Sequence, residues 1–186
     1  MALTFANKVT VGRIMMVPFF IAAVLYYSPE NDYLRYVALG LFLLAVVSDV
    51  IDGYVARMRH QKTRAGAILD PLADKILLIS AFICLYKVGG YFEVVRFPLW
   101  FVLAVISRDV MLLLGAMIIF LVHRQLEIEP SKWGKTTTFF QVVSVIGMLL
   151  QWPFSEPIWY VTLIATFISG LGYIRNGIKV LNASGT

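Results

Sequence analysis

Six apolar runs, parted by short polar turns, constrain this chain more than any other feature. They cover 10–27, 33–56, 69–88, 97–122, 137–153 and 158–174. A helix of ~20 mostly apolar residues crosses the hydrocarbon core of a bilayer. The connections carry turn and breaker signals: Ser28-Pro29-Glu30-Asn31-Asp32, Gly89-Gly90, Glu129-Pro130, and Pro153 to Pro157. The composition agrees. The chain is 60% hydrophobic and 15% charged, where soluble domains are about half apolar and a quarter charged. The expected fold is an all-α integral membrane protein of six transmembrane helices, with residues 1–186 as one domain. Residues 2–9 are expected to form a short interfacial helix before the first span. That span, with Lys8 and Arg13 ahead of its apolar stretch, lacks a small-x-small cleavage signal and reads as retained.

The net charge of +5 is distributed unevenly. Lys8, Arg13, Arg57, Arg59, Lys62, Arg64, Arg124, Lys132, Lys135, Arg175 and Lys179 fall on one side, with Lys75 near that edge. Arg35, Lys87 and Arg96 fall on the other, and Arg108 lies within a span. The positive-inside rule then puts both termini and the 57–64 connection in the cytosol. The basic surplus is accounted for by topology, and no nucleic-acid partner is expected. The single cysteine, Cys84, cannot form an internal disulfide and reads as a core residue. Trp100, Trp133, Trp152 and Trp159 lie near span ends and read as interface belts.

Within these apolar runs stand four aspartates: Asp49, Asp52, Asp70 and Asp74. A carboxylate at the centre of a membrane helix costs ~2.5–3.5 kcal/mol on insertion scales, so four together require a common partner. On a helix, positions 49, 52, 53 and 56 share one stripe, as do 66, 70 and 74. The first stripe reads Asp, Asp, Gly, Ala and the second Gly, Asp, Asp. Antiparallel packing of the second and third spans would face them across a shallow cleft at the cytosolic edge. Carboxylate-only ligation suits a hard cation, Mg²⁺ or Mn²⁺, and such ions clamp pyrophosphate. Arg57 would add a bidentate phosphate donor. Asp74, one turn beyond Asp70, could accept a proton from an acceptor hydroxyl. Pro71 could start or kink a helix there. Close helix packing is an alternative role for Gly53, Ala56 and Gly66.

The string D-x2-D-G-x2-A-R-x8-G-x3-D-x3-D, from Asp49 to Asp74, resembles the signature of the CDP-alcohol phosphotransferase family at every fixed position. Asn7-x-x-Thr10-x-x-Arg13 and the six-span layout extend the resemblance. The resemblance implies cleavage of a CDP-linked lipid, transfer of its phosphatidyl group to an alcohol and release of CMP. It implies that Asp49, Asp52 and Asp70 hold one or two Mg²⁺ or Mn²⁺ ions, and that Asp74 is the base and touches the second. It places Gly53, Ala56, Arg57 and Gly66 along the CDP site. It also implies a homodimer and a bacterial cytoplasmic membrane enzyme, whose aspartates the lysine and arginine asymmetry puts on the cytosolic side.

Two branches of that family are similar to the Leu69–Lys75 stretch, one using glycerol 3-phosphate and one phosphatidylglycerol as acceptor. Ser107-Arg108-Asp109 resembles the second, the CMP-forming cardiolipin synthases. The first tends to have R-E there, with a further arginine two turns on, where this chain has Leu114-Gly115-Ala116-Met117. It also tends to have G-K-x-K-T where this chain has Gly134-Lys135-Thr136-Thr137-Thr138. A phosphomonoester carries nearly two charges and requires several cationic donors; a phosphodiester requires fewer. Phosphatidylglycerol is therefore the favoured acceptor and glycerol 3-phosphate the alternative. Arg108, Lys135 and Arg13 are the candidate acceptor contacts. Against these stand an intramembrane pair of Arg108 with Asp109 or with another span's carboxylate, and interfacial anchoring for Lys135 and Arg13. An ion or solute transporter also uses intramembrane carboxylates, but leaves the interleaved glycines and Arg57 unexplained. A catalytically silent scaffold would keep the same fold.

Overall fold

The computed structural model describes residues 5–58, 64–123 and 132–183, and the side chains of 11–51, 74–115 and 134–173. The described residues form six α-helices and no strand: α1 (Phe5–Leu25), α2 (Tyr33–Met58), α3 (Arg64–Val88), α4 (Leu99–His123), α5 (Lys132–Leu149) and α6 (Ser155–Ala183). Each overlaps one of the expected apolar runs. The expected interfacial helix is not separate: from Phe5 onward its residues are the opening turns of α1. Neither does Pro71 start a helix, because α3 begins at Arg64. Pro71 instead withdraws one N–H from the ladder near the front of α3. By length and composition, one stretch among the described residues, Tyr33–Ile51, is long and apolar enough to cross a membrane, and Val11–Leu25 is a shorter apolar stretch.

The chain divides into two compact units, residues 1–96 with 148–152, and residues 97–147 with 153–186. In the first, α1 packs against both α2 and α3. Its core is three stripes at helical spacing: Val17, Phe20 and Val24 on α1; Ala38, Phe42 and Ala45 on α2; Leu77, Leu78, Ala81 and Leu85 on α3. The Phe20 and Phe42 rings meet at 5.8 Å.

One end of this unit is fastened by polar groups. The Arg35 guanidinium grips Asp32 through Nε–Oδ1 (2.8 Å) and Nη2–Oδ2 (2.9 Å) and donates to the Leu149 carbonyl at 3.2 Å. That fork holds the Asp32 carboxyl below its ordinary value. Gln151 adopts a left-handed backbone, φ 53°. Its Oε1 accepts from the Val94 and Val95 amides, and its Nε2 donates to the Val95 and Met148 carbonyls. The backbone groups of two turns are thereby satisfied by one side chain.

In the second unit α5 runs antiparallel to α6, since Thr137 bonds the Ala165 carbonyl and Ser144 meets Thr162. Here much of the inside is polar and the outside apolar. Thr137, Gln141, Ser144, Thr162 and Thr166 are buried, while Leu103, Met111, Ile164, Phe167 and Leu171 are exposed. Trp159 corrects its expected place in an interface belt. It is buried and stacked on Phe101 at 5.8 Å, whereas Trp100 and Trp152 are exposed. The Trp133 side chain lies outside the described residues.

Candidate active site

The core stripes of the first unit do not end in apolar residues. On α1 the stripe of Val17, Phe20 and Val24 continues back one turn to Arg13, which is buried. On α2 the stripe of Ala38, Phe42 and Ala45 continues forward to Asp49. On α3, Asp74 precedes Leu77 and Leu78 by one turn and is half-buried. All three polar groups thus prolong faces whose direction apolar packing has already fixed.

Arg13 and Asp49 meet across the α1–α2 interface, Nη1 to Oδ1, at 2.5 Å. The antiparallel register explains why. Position 13 lies two turns before Phe20, and position 49 two turns after Phe42. The helix pair that brings the two rings together therefore brings the two charges together. The Arg13 side chain is 1% exposed and the Asp49 side chain 41%.

Of the other residues expected at the site, Asp52, Gly53, Ala56 and Arg57 belong to the last turns of α2. Gly66 and Asp70 belong to the first turns of α3. Their side chains lie outside the described residues. Among the described residues no three carboxylate, histidine or cysteine side chains converge as a metal cage would. The donor set nonetheless fits a hard cation in chemistry: the side chains at 49, 52, 70 and 74 offer carboxylate oxygens alone.

Two of the acceptor candidates, Arg108 and Lys135, lie in the second unit. Lys135 is exposed on the first turn of α5. Arg108 is buried in the second unit, with Nη1 on Asp109 Oδ1 at 2.7 Å and Nη2 on Ser169 Oγ at 2.6 Å. Gln141 completes the cluster, donating from Nε2 to Asp109 Oδ2 at 3.3 Å. Arg108 Nε and Gln141 Oε1 are buried without a hydrogen-bond partner. The adjacent pairing of Arg108 and Asp109 was one of the roles left open for Arg108. Gln141 and Ser169 were not singled out as site residues. Their signal was available as Ser, Thr and Gln recurring at three- and four-residue steps inside apolar helices.

Carboxylates at the ends of apolar stripes in the first unit, and helices apolar on the outside and polar within in the second, are consistent with a helical membrane protein. The chain belongs to the CDP-alcohol phosphatidyltransferase family, whose pattern matches residues 3–171. It is 31% identical over 182 residues to a probable phosphatidylglycerophosphate synthase of Mycobacterium tuberculosis, covering 94% of this chain and 81% of that one. It is 33% identical over 183 residues to a CDP-diacylglycerol–glycerol-3-phosphate 3-phosphatidyltransferase of Aquifex aeolicus, covering 94% and 96%. It is 30% identical over 203 residues to a CMP-forming cardiolipin synthase of Rattus norvegicus, covering 96% and 63%. The protein is thus an enzyme, a CDP-alcohol phosphatidyltransferase of anionic phospholipid synthesis. Members of the family are membrane enzymes and generally depend on a divalent metal, and the bacterial relatives point to the inner membrane.

Proposed function

We propose that the enzyme transfers a phosphatidyl group from CDP-diacylglycerol to phosphatidylglycerol, releasing CMP. The observation that carries this choice of acceptor is the Arg108–Asp109 pair. A guanidinium already opposed by a buried carboxylate at 2.7 Å offers little net charge to a phosphomonoester. It suits the single charge of a phosphodiester better. Lys135 is the second proposed acceptor contact.

On this reading Asp49, Asp52, Asp70 and Asp74 hold one or two Mg²⁺ or Mn²⁺ ions. Gly53, Ala56, Arg57 and Gly66 line the CDP site. A bound ion would neutralise the pyrophosphate and stabilise its oxygens during transfer. Asp74 takes the proton from the attacking hydroxyl. The hydroxyl oxygen bonds to the phosphorus bearing diacylglycerol, and the phosphorus–oxygen bond to CMP breaks. The whole chain acts as one domain of six spans, with the active site and both termini in the cytosol, and pairs as a homodimer. The exposed apolar residues of α2, α4 and α6 support the spans. The lysine and arginine asymmetry supports the sidedness.

Glycerol 3-phosphate is the second reading. It is favoured by the high mutual coverage with the Aquifex aeolicus glycerol-3-phosphate enzyme. Supplying purified enzyme with both acceptors and identifying the lipid products by mass spectrometry separates the two. Cardiolipin is the expected product. Phosphatidylglycerophosphate without cardiolipin would reverse the order of the readings.

A further inference from the structure

We infer that Arg13 is a positioning residue that fixes the Asp49 carboxylate for metal binding, rather than a contact for the acceptor. The inference rests on the reading of Asp49 as a metal ligand. Three features of the pair carry it. The first is the origin of its geometry. Arg13 stands on the same buried stripe as Val17, Phe20 and Val24, so its place is set by the packing of α1 on α2. The second is the asymmetry of burial. The guanidinium-bearing side chain is 1% exposed, while the carboxylate side chain it holds is 41% exposed. The cation is enclosed between helices, and the anion faces outward. The third is the contact itself, a close ion pair of Nη1 with Oδ1 between two different helices.

An aspartate near a helix end, held by nothing, samples several rotamers. An ion pair to a buried guanidinium on the neighbouring helix restricts that freedom before the cation arrives. Partners of this kind orient carboxylate ligands, and their loss typically weakens metal affinity ~10–100-fold. Lysine would return the charge without the planar fork, so it should restore only part of the effect. Electrostatic repulsion between Arg13 and the metal works in the opposite direction. The sign of the measured change therefore decides between positioning and repulsion.

The test is Mn²⁺ binding to metal-stripped protein in detergent, followed by the loss of the free-ion paramagnetic resonance signal. It compares the unsubstituted chain with Arg13→Gln and Arg13→Lys. Helical circular dichroism checks each fold. The expected result is about a tenfold weaker Mn²⁺ affinity in Arg13→Gln, an intermediate value in Arg13→Lys, and unchanged KM for either acceptor at saturating Mn²⁺. Equal or tighter Mn²⁺ binding in Arg13→Gln overturns the inference. So does a raised acceptor KM with Mn²⁺ affinity intact, which would make Arg13 an acceptor contact. If Arg13→Gln does not fold, Arg13→Lys decides, and an affinity equal to the unsubstituted chain overturns the inference. If the unsubstituted chain itself fails to bind Mn²⁺, the metal-ligand reading of Asp49 falls and the inference with it.

Discussion

Removing one partner of the buried Arg108–Asp109 pair should destabilise the protein far more than removing both. The Arg108 side chain is 5% exposed and the Asp109 side chain 1%, so neither charge can turn to water. Asp109→Asn keeps the shape but leaves the guanidinium with Ser169 Oγ as a neutral partner and no opposing charge from position 109. Breaking a buried pair this way costs about 3–5 kcal/mol. At about 2–4 °C per kcal/mol for a chain of this length, the thermal midpoint in detergent should fall by about 6–20 °C. The double change Arg108→Met with Asp109→Leu fills similar space with apolar atoms. It should lie within about 1 kcal/mol of the unsubstituted protein, because apolar replacement of a buried pair is often neutral or stabilising. The same double variant should lose acceptor-dependent turnover if Arg108 touches the acceptor. Thermal unfolding followed by circular dichroism, with turnover on the same samples, reads both outcomes. An Asp109→Asn midpoint equal to that of the unsubstituted chain would refute the reasoning. So would a double variant less stable than the single one.

Other predictions concern the first unit and the proposed base. Gln151→Ala loses four side-chain hydrogen bonds to the 94, 95 and 148 backbone and should destabilise by about 2–4 kcal/mol. Gln151→Gly loses the same bonds but relieves the left-handed backbone at φ 53°, so it should be about 1 kcal/mol more stable than Gln151→Ala; equal midpoints would show that the backbone is not strained. Phe42→Ala empties a fully buried site against Phe20 and should cost about 3–5 kcal/mol in unfolding measurements, with KM for both substrates unchanged. The Asp32 carboxyl is lowered by Arg35 from an ordinary value of 3.8. Its contribution to stability is therefore present above that value and lost as pH falls through the lowered pKa. The midpoint difference between Asp32→Asn and the unsubstituted protein should shrink on acidification below about pH 4, and a difference constant with pH would contradict that sign. Asp74→Asn should lower turnover by about 10²–10⁴-fold while circular dichroism and Mn²⁺ binding persist; full turnover would remove Asp74 as the base.

The helices were legible because apolar run length and turn residues mark them directly. Their ends were less so. Hydrophobicity reports where hydrocarbon ends, whereas a helix continues as long as its backbone bonds close. That is why α3 begins at Arg64 rather than at 69, and α6 runs to Ala183 beyond 174. At the site, the stripe positions of Asp49 and Asp74 followed from helical spacing alone. The Arg13–Asp49 contact did not, because it depends on the register between two helices, which Phe20 and Phe42 reveal only once packed. Trp159 was misplaced for a similar reason. Its distance from a span end was readable, but which face it presents to α4 was not. Gln151 gave no local signal, since a left-handed glutamine is sustained by contacts to residues 94 and 95, far away in sequence.

The most direct measurement is CMP release from CDP-diacylglycerol by purified, metal-stripped protein, with and without added Mg²⁺ or Mn²⁺, run separately with phosphatidylglycerol and with glycerol 3-phosphate. The account predicts release only when a divalent ion is present, and stimulation by phosphatidylglycerol over glycerol 3-phosphate. Release that persists without any divalent ion, or no release with either acceptor from folded protein, would contradict it.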